Sequence, residues 1–515
     1  MLQLTHPISQ LVLVLVSLLC TTGCASLPDL AKRHSSYAVM PEQTEHTQLG
    51  RFISGAFHIA DEQRPRINAG VAVLDEAEAS LITRLMLIQH AERSIDIQYY
   101  IWRDDTSGLL MLQALQQAAD RGVRVRLLLD DIHSTAITPY LHQLNTHPNA
   151  EVRLVNPFMP RGALVWGFLT DFDRANRRMH NKSLTVDSQA SIVGGRNIGN
   201  DYFLRGLTDI LFSDMDLLAV GPIVRDISVR FDLYWNSDSA YPLELLEAAP
   251  ATAPRLPTID YQPQVPSLQE FFSHTQWYGV QAIVVTDSPS KLLGDAAPEE
   301  LITHKFKIVL AEPQQEVLLV SPYFIPSEAL IQSLTDLVHA GVSVHILTNA
   351  FATNDVTLVH SGYAKHRKAL LRAGVRLFEL KPSAIANPLV NDDEGEELTF
   401  SSVSASSLHA KTFIIDRDRV FVGSFNFDPR SVHLNTELGL VVISDTLAER
   451  MAETFIANTP GQAYEVVLNE KNRLEWIERD RAGDVIRMHA IEPETSWFQR
   501  LAIGFFSFLP IDSLL

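Results

Sequence analysis

The chain has 515 residues, with 42 Lys and Arg against 61 Asp and Glu for a formal charge of -19; apolar residues make up 46% and charged residues 20%. That length accommodates two to four domains of about 100–200 residues, and the composition excludes wholesale disorder and fibrous repeats. The negative field repels polyanions, so no nucleic acid partner is expected, and the only cysteines, Cys20 and Cys24, leave the body of the chain without a disulfide framework or a thiolate metal site.

Residues 1–23 contain no Lys, Arg, Asp or Glu, and Leu11 to Cys20 is an apolar run too short to span a bilayer. It reads as a signal peptide. The following Thr21-Thr22-Gly23-Cys24-Ala25-Ser26 resembles a bacterial lipoprotein processing site, in which Cys24 would receive lipid and become the mature N-terminus. The expected address is the bacterial cell envelope, membrane-anchored on the extracytoplasmic side; an uncleaved membrane anchor is the competing reading.

After an N-terminal mature segment (24–80), the pattern is that of an internal repeat. The run Ser94 to Ile101 reads as a strand, Leu109 to Arg121 as a helix, and Gly122 to Leu129 as a second strand. Val317 to Phe324, Glu328 to Ala340 and Gly341 to Leu347 repeat that order about 220 residues later, and Glu151 to Val155 matches Gly374 to Phe378. Two homologous α/β halves built from βαβ units follow, at 81–240 and 301–490. Between them, 241–300 is expected to be a linker region, because Tyr241 to Ser267 holds six prolines and few large apolar residues. The acidic run Asp392 to Glu397 reads as a solvated loop. The apolar tail, 491–515, is too short to cross a bilayer and suits either a packing helix or contact with a membrane surface.

Each half contains one His-x-Lys-x4-Asp octet: His180, Lys182 and Asp187, then His409, Lys411 and Asp416. Each octet is followed by a glycine-led segment ending in asparagine, Gly194 to Asn197 and Gly423 to Asn426. The apolar filling predicts strands, on which His and Lys at i and i+2 project to one face, whereas Asp seven residues on falls in the following turn as a structural anchor. Two halves packed face to face bring both histidines to one phosphate, with Lys182, Lys411, Asn197 and Asn426 on its non-bridging oxygens. One imidazole would attack phosphorus and the other would protonate the leaving alkoxide, chemistry that calls for neither metal nor cofactor. Each ring also needs an acceptor on its second nitrogen. Asp216 and Glu437, which precede the similar runs Leu217 to Val220 and Leu438 to Val442, are the candidates. Asp214, Tyr323 and Glu397 read as solvated or structural.

The paired octets resemble the HKD signature of the phospholipase D superfamily, over most of the chain from about Leu81 to Ile491. Leu169 to Phe172, Asn176 to Lys182, Gly194 to Asn200, Ser321 to Pro326, Asn354 to Val356 with His360 and Tyr363, and Gly423 to Ser431 resemble the C-type bacterial cardiolipin synthases. The resemblance implies two phospholipase D-like α/β sandwich halves about a pseudo-twofold axis with the active site between them. It also implies metal-free phosphatidyl transfer through a phosphohistidine: attack falls to His180 and acid/base work to His409, with phosphatidylethanolamine or a second phosphatidylglycerol as donor and phosphatidylglycerol as acceptor. Phospholipid substrates and a membrane surface are the expected partners, and no activating protein partner is legible. Two alternatives stay open: a phosphodiesterase that uses water as acceptor, on phospholipid or on nucleic acid, and a tethered lipid-binding scaffold.

Overall fold

The computed structural model describes residues 27–56, 67–382 and 405–506, except 163, 205, 206, 208, 209, 251–253, 311, 355, 356 and 481. The signal peptide, Cys24 and the acidic run with Glu397 lie outside the described residues. Each half opens its sheet with three parallel strands. These are Ser94–Tyr99, Arg124–Asp130 and Ala150–Val155 in the first half, and Glu316–Val320, Ser343–Asn349 and Arg376–Leu380 in the second. The first crossover helix is Thr106–Asp120 in one half and Glu328–His339 in the other. Both helices end on a left-handed glycine, Gly122 (φ 91°) and Gly341 (φ 94°), a conformation that a residue with a Cβ adopts only under strain. The repeated Gly-Val in the sequence is thus a helix stop followed by the first core residue of the next strand.

Four antiparallel strands continue each sheet: Ser183–Val186, Ala190–Gly194, Asp216–Val220 and Ala69–Leu74 in the first half, and Thr412–Ile415, Arg419–Gly423, Leu438–Ile443 and Tyr278–Thr286 in the second. Ala240–Pro242 extends the other edge of the first half, and Ala463–Leu468, Leu474–Arg479 and Val485–His489 that of the second. The strands Ala69–Leu74 and Tyr278–Thr286 occupy equivalent places and pair antiparallel with each other, Ala69 opposite Val280 and Val71 opposite Tyr278. This seam joins the halves into one sheet of 18 strands.

Two expected boundaries therefore shift. The segment 24–80 already contributes a sheet strand, and 241–300 is not a linker throughout. Within it the helix Leu268–His274 buries Leu268 and Phe272 in the first-half core, and Tyr278–Thr286 is the second half's seam strand, with Tyr278, Val280 and Ala282 inward and Gly279 and Gln281 outward. That short alternation is overshadowed in the sequence by the prolines before it.

Alternation also divides the core. Ile192, Leu218 and Val220 face the helices of the first half, whereas Val193, Leu217 and Ala219 face a middle core shared with Leu318, Ile414 and Leu440 of the second. Both faces of each sheet are covered, which is why these strands read as continuous apolar runs. Among the described residues, no helix is long and apolar enough to cross a membrane.

Candidate active site

Both histidines lie immediately ahead of a strand rather than inside it. Ladder pairing begins at Ser183 and Thr412, and the His-x-Lys tripeptides are extended lead-ins. The reason is visible in their partners. His180 N donates to Thr436 O (2.9 Å) and Thr436 N to Arg178 O (3.0 Å), so the first motif is bridged to the second half. His409 N donates to Ser213 O (2.8 Å), continuing a two-strand parallel ribbon in which Ala405–Leu408 runs beside Ile210–Ser213. Each His-x-Lys segment thus spends backbone hydrogen bonds on the other half.

The side chains follow the same exchange. His180 Nδ1 lies 2.8 Å from Glu437 Oε2, and His409 Nδ1 lies 2.5 Å from Asp214 Oδ2. Both carboxylates are fully buried. Lys182 Nζ donates to the His180 carbonyl (2.8 Å) and Lys411 Nζ to the His409 carbonyl (2.5 Å), which holds each ammonium beside its imidazole. Asp187 and Asp416, both at φ 51°, stand in the turns after the strands. Asp187 accepts from the amides of Glu92, Arg93 and Ser94, and Asp416 from those of Gln314, Gln315 and Glu316, so each ties its turn to the start of a neighbouring strand.

Asp216 is not the acceptor for His409; Asp214 is. Ladder register shows why. Gly194 pairs with Asp216 and Val193 with Leu217, while Gly423 pairs with Gly439 and Val422 with Leu440. Asp216 is therefore the counterpart of Gly439, and Asp214 the counterpart of Glu437. Matching Leu217 to Leu438 in the sequence slips the alignment by two residues, an even step that keeps every side chain on its expected face and hides the error. Asp216 instead sits between two buried guanidiniums, Arg84 (2.8 Å) and Arg196 (3.2 Å), and accepts from Ser80 Oγ (2.9 Å). Asp214, read from sequence as solvated or structural, belongs to the site.

The asparagines differ from each other. Asn197 Oδ1 accepts from Ile101 N (3.2 Å) and its Nδ2 donates to Tyr202 Oη (2.9 Å), whereas the buried Asn426 Oδ1 has no hydrogen-bond partner. Several residues escaped sequence reasoning. Ser424 and Ser431 donate their hydroxyls to Glu437, the latter at 2.8 Å. Tyr100 packs edge-on to His180 with centroids 5.0 Å apart, and Tyr202 does the same to His409 at 5.2 Å. Gly195, the counterpart of Ser424, leaves room for Asp214, whose Oδ1 lies 2.2 Å from where a Cβ would stand. Ahead of His180, Arg178 pairs with Asp130 at 3.0 Å and Arg174 with Asp171 at 2.5 Å.

Electrostatics tie the two motifs into one site. Burial, with Lys182 and Lys411 adding to it, holds the His180 ring well below the ordinary imidazole range. Burial and then Lys411 bring His409 down to about 4, with Lys182 contributing and Asp214 opposing. Each imidazole thus senses the ammonium of the other half. Burial pushes Glu437 up to about 7 against the pull of Lys182, Ser424 and Ser431. Burial would raise Asp214 too, but His409, Lys411 and Arg196 outweigh it and hold this carboxyl well below the usual range. The site is a cationic recess with two differently tuned His-carboxylate pairs, suited to an anionic, oxygen-rich reacting group.

Comparison with known proteins agrees with this architecture. The family model described as "Cardiolipin synthase, PLD-like domain" matches residues 85–235 and again 307–458. The chain is 40% identical to cardiolipin synthase C of Escherichia coli (strain K12), across 87% of this chain and 96% of that one. It is 27% identical to a cardiolipin synthase of Staphylococcus aureus (strain Mu50 / ATCC 700699), across 76% and 67%. The crystal structure of phosphatidylserine synthase from Haemophilus influenzae Rd KW20 superposes with a TM-score of 0.56 at 13% identity, covering 86% of this chain and 95% of that one, which is a likeness of fold. The duplicated sheet, the pair of octets and these matches together place the chain in the cardiolipin synthase family of the phospholipase D superfamily.

Proposed function

We propose that this protein is a phosphatidyltransferase that makes cardiolipin from membrane phospholipids through a phosphohistidine. The observation that carries the mechanism is the reciprocal pairing of each imidazole with a carboxylate of the opposite half. A carboxylate on Nδ1 fixes the tautomer and leaves Nε2 for chemistry. The pairs suit different tasks. His180 is held neutral beside a carboxyl that burial keeps only partly ionised, which suits attack. His409 is also held low by burial and Lys411, but its firmly ionised partner Asp214 opposes that shift and supports the imidazolium once an anionic phosphate enters, which suits the acid.

In the first step His180 Nε2 attacks the donor's phosphorus, a P–N bond forms, and the P–O bond to the leaving alkoxide breaks as His409 donates its proton to that oxygen. In the second step His409 takes the proton from a glycerol hydroxyl of phosphatidylglycerol, the hydroxyl oxygen attacks phosphorus, and the P–N bond breaks to restore His180. Lys182 and Lys411 offset charge on the non-bridging oxygens in both steps, and the Asn426 amide reaches the same oxygens. Phosphatidylethanolamine or a second phosphatidylglycerol serves as donor. The N-terminal segment, through Cys24, would hold the enzyme to the cell envelope on the extracytoplasmic side.

The test is to incubate the protein with phosphatidylglycerol vesicles and resolve the lipids. Cardiolipin with release of glycerol supports transfer; phosphatidic acid without cardiolipin rejects it. Protein quenched in alkaline denaturant should carry alkali-stable, acid-labile phosphorus that maps to His180, and a label on His409 instead would reverse the two roles.

A further inference from the structure

In the second half a groove of about 320 Å³ opens between the helix Arg367–Arg372, the strand Leu474–Arg479 and the segment leading into the helix Trp497–Phe506. Four cations line it, Arg367, Lys368, Arg473 and Arg500, against one carboxylate, Glu492. Arg367 is already committed: its Nε lies 2.8 Å from Glu379 and its Nη2 2.5 Å from Glu492, which also meets His360 Nε2 at 2.6 Å. Arg500 donates to the carbonyl and hydroxyl of Thr495, both neutral. Among the described residues, Lys368 and Arg473 pair with no carboxylate. Glu494, nearby in sequence, accepts from Tyr464 Oη (3.1 Å). Three cations therefore remain uncompensated in one groove of a chain whose formal charge is -19.

Apolar side chains share the lining of the groove. Leu474, Trp476 and Ile491 line it beside the cations. On the adjoining helix Trp497, Phe498 and Leu501 are 56%, 66% and 59% exposed, and the Trp497 and Phe498 rings lie 3.8 Å apart between centroids, tilted by 31°. Free phosphate would be served by the cations alone and has no use for an exposed aromatic helix. An anionic lipid uses both, since a cationic cradle meets its phosphate while large apolar side chains enter the acyl layer alongside. We propose that this groove seats the phosphate of an anionic phospholipid while Trp497, Phe498 and Leu501 enter the bilayer surface. The second half would then hold the membrane through a site that shares no residue with the histidine pair. The phosphatidyltransferase reading supports this only by placing the protein at a membrane.

The test uses full-length protein in phosphatidylcholine vesicles doped with a phosphatidylglycerol that carries a photoreactive headgroup, followed by peptide mapping. Label is expected on peptides within 468–501 as well as on those that contain His180 or His409. In the exposed-site double variant Lys368→Glu/Arg473→Glu, the ratio of groove label to active-site label should fall at least fivefold, and a zwitterionic phosphatidylcholine probe should label the groove at least fivefold less than the phosphatidylglycerol probe. An unchanged ratio, or equal labelling by the two probes, would overturn the groove as an anionic-lipid seat. Groove label without active-site label would leave this site standing and count against the transferase.

Discussion

Asp214 and Asp216 stand two residues apart in one buried segment and do opposite work, so their neutral variants separate chemistry from stability. Asp214→Asn takes the acceptor from His409 Nδ1 and should cut kcat by about 10²–10⁴-fold, with little change in the denaturation midpoint. Asp216→Asn leaves Arg84 and Arg196 buried beside a neutral amide; it should cost about 3–5 kcal/mol in urea unfolding while the folded fraction keeps its rate constants. Glu437 gives a pH signature. Its carboxylate must be ionised to accept from His180, and its midpoint is pushed up to about 7, so kcat/KM should fall as pH drops through that value. In Glu437→Gln that acid limb should vanish along with most of the activity. The His-Lys pairs and Glu437 were legible from the sequence because their residue types and spacing recur. Asp214 was not, because an even-numbered slip leaves the alternation of buried and exposed faces unchanged, and only ladder register distinguishes the two alignments.

At the scale of elements, the repeat was readable wherever a crossover helix ends in Gly-Val, since that dipeptide pairs a left-handed stop with a core residue. Gly341 has open space where a Cβ would point, so Gly341→Ala probes backbone strain alone and should cost about 1–2 kcal/mol without touching activity, as a thermal melt and a lipid assay would show. Gly195→Ala is a different experiment. The new methyl collides with Asp214 Oδ1, and the expected outcome is loss of turnover from a folded protein, checked by circular dichroism beside the transfer assay. The lead-in geometry of the two octets was not legible, because nothing local in His180-Asn181-Lys182 shows that its backbone partners lie in the other half.

Across the whole molecule, the seam between Ala69–Leu74 and Tyr278–Thr286 and the shared middle core make the halves one folding unit in two covalent parts. Because the helix Leu268–His274 belongs to the first core, a break after Thr275 separates the halves more cleanly than one in the proline-rich stretch. Fragments ending at Thr275 and beginning at Gln276 should each be inactive and should recover activity when co-expressed, measured as cardiolipin formed per mole of paired fragments. The sequence disclosed two halves but not this boundary, since prolines mark where the chain is irregular and say little about which core it packs on.

The exchange of carboxylates between halves has a consequence for how such a chain can change over time. A single repeat with the same layout would hold its imidazole correctly only when two copies met, whereas within one chain that encounter does not depend on concentration. Within one chain the two repeats also need not be identical. One carries Asp214 with Gly195 and the other Glu437 with Ser424, a longer acid steadied by a hydroxyl and a shorter one admitted by a missing side chain. A lesion in either repeat then silences the histidine of its neighbour, so the two must drift in step although their residues no longer match.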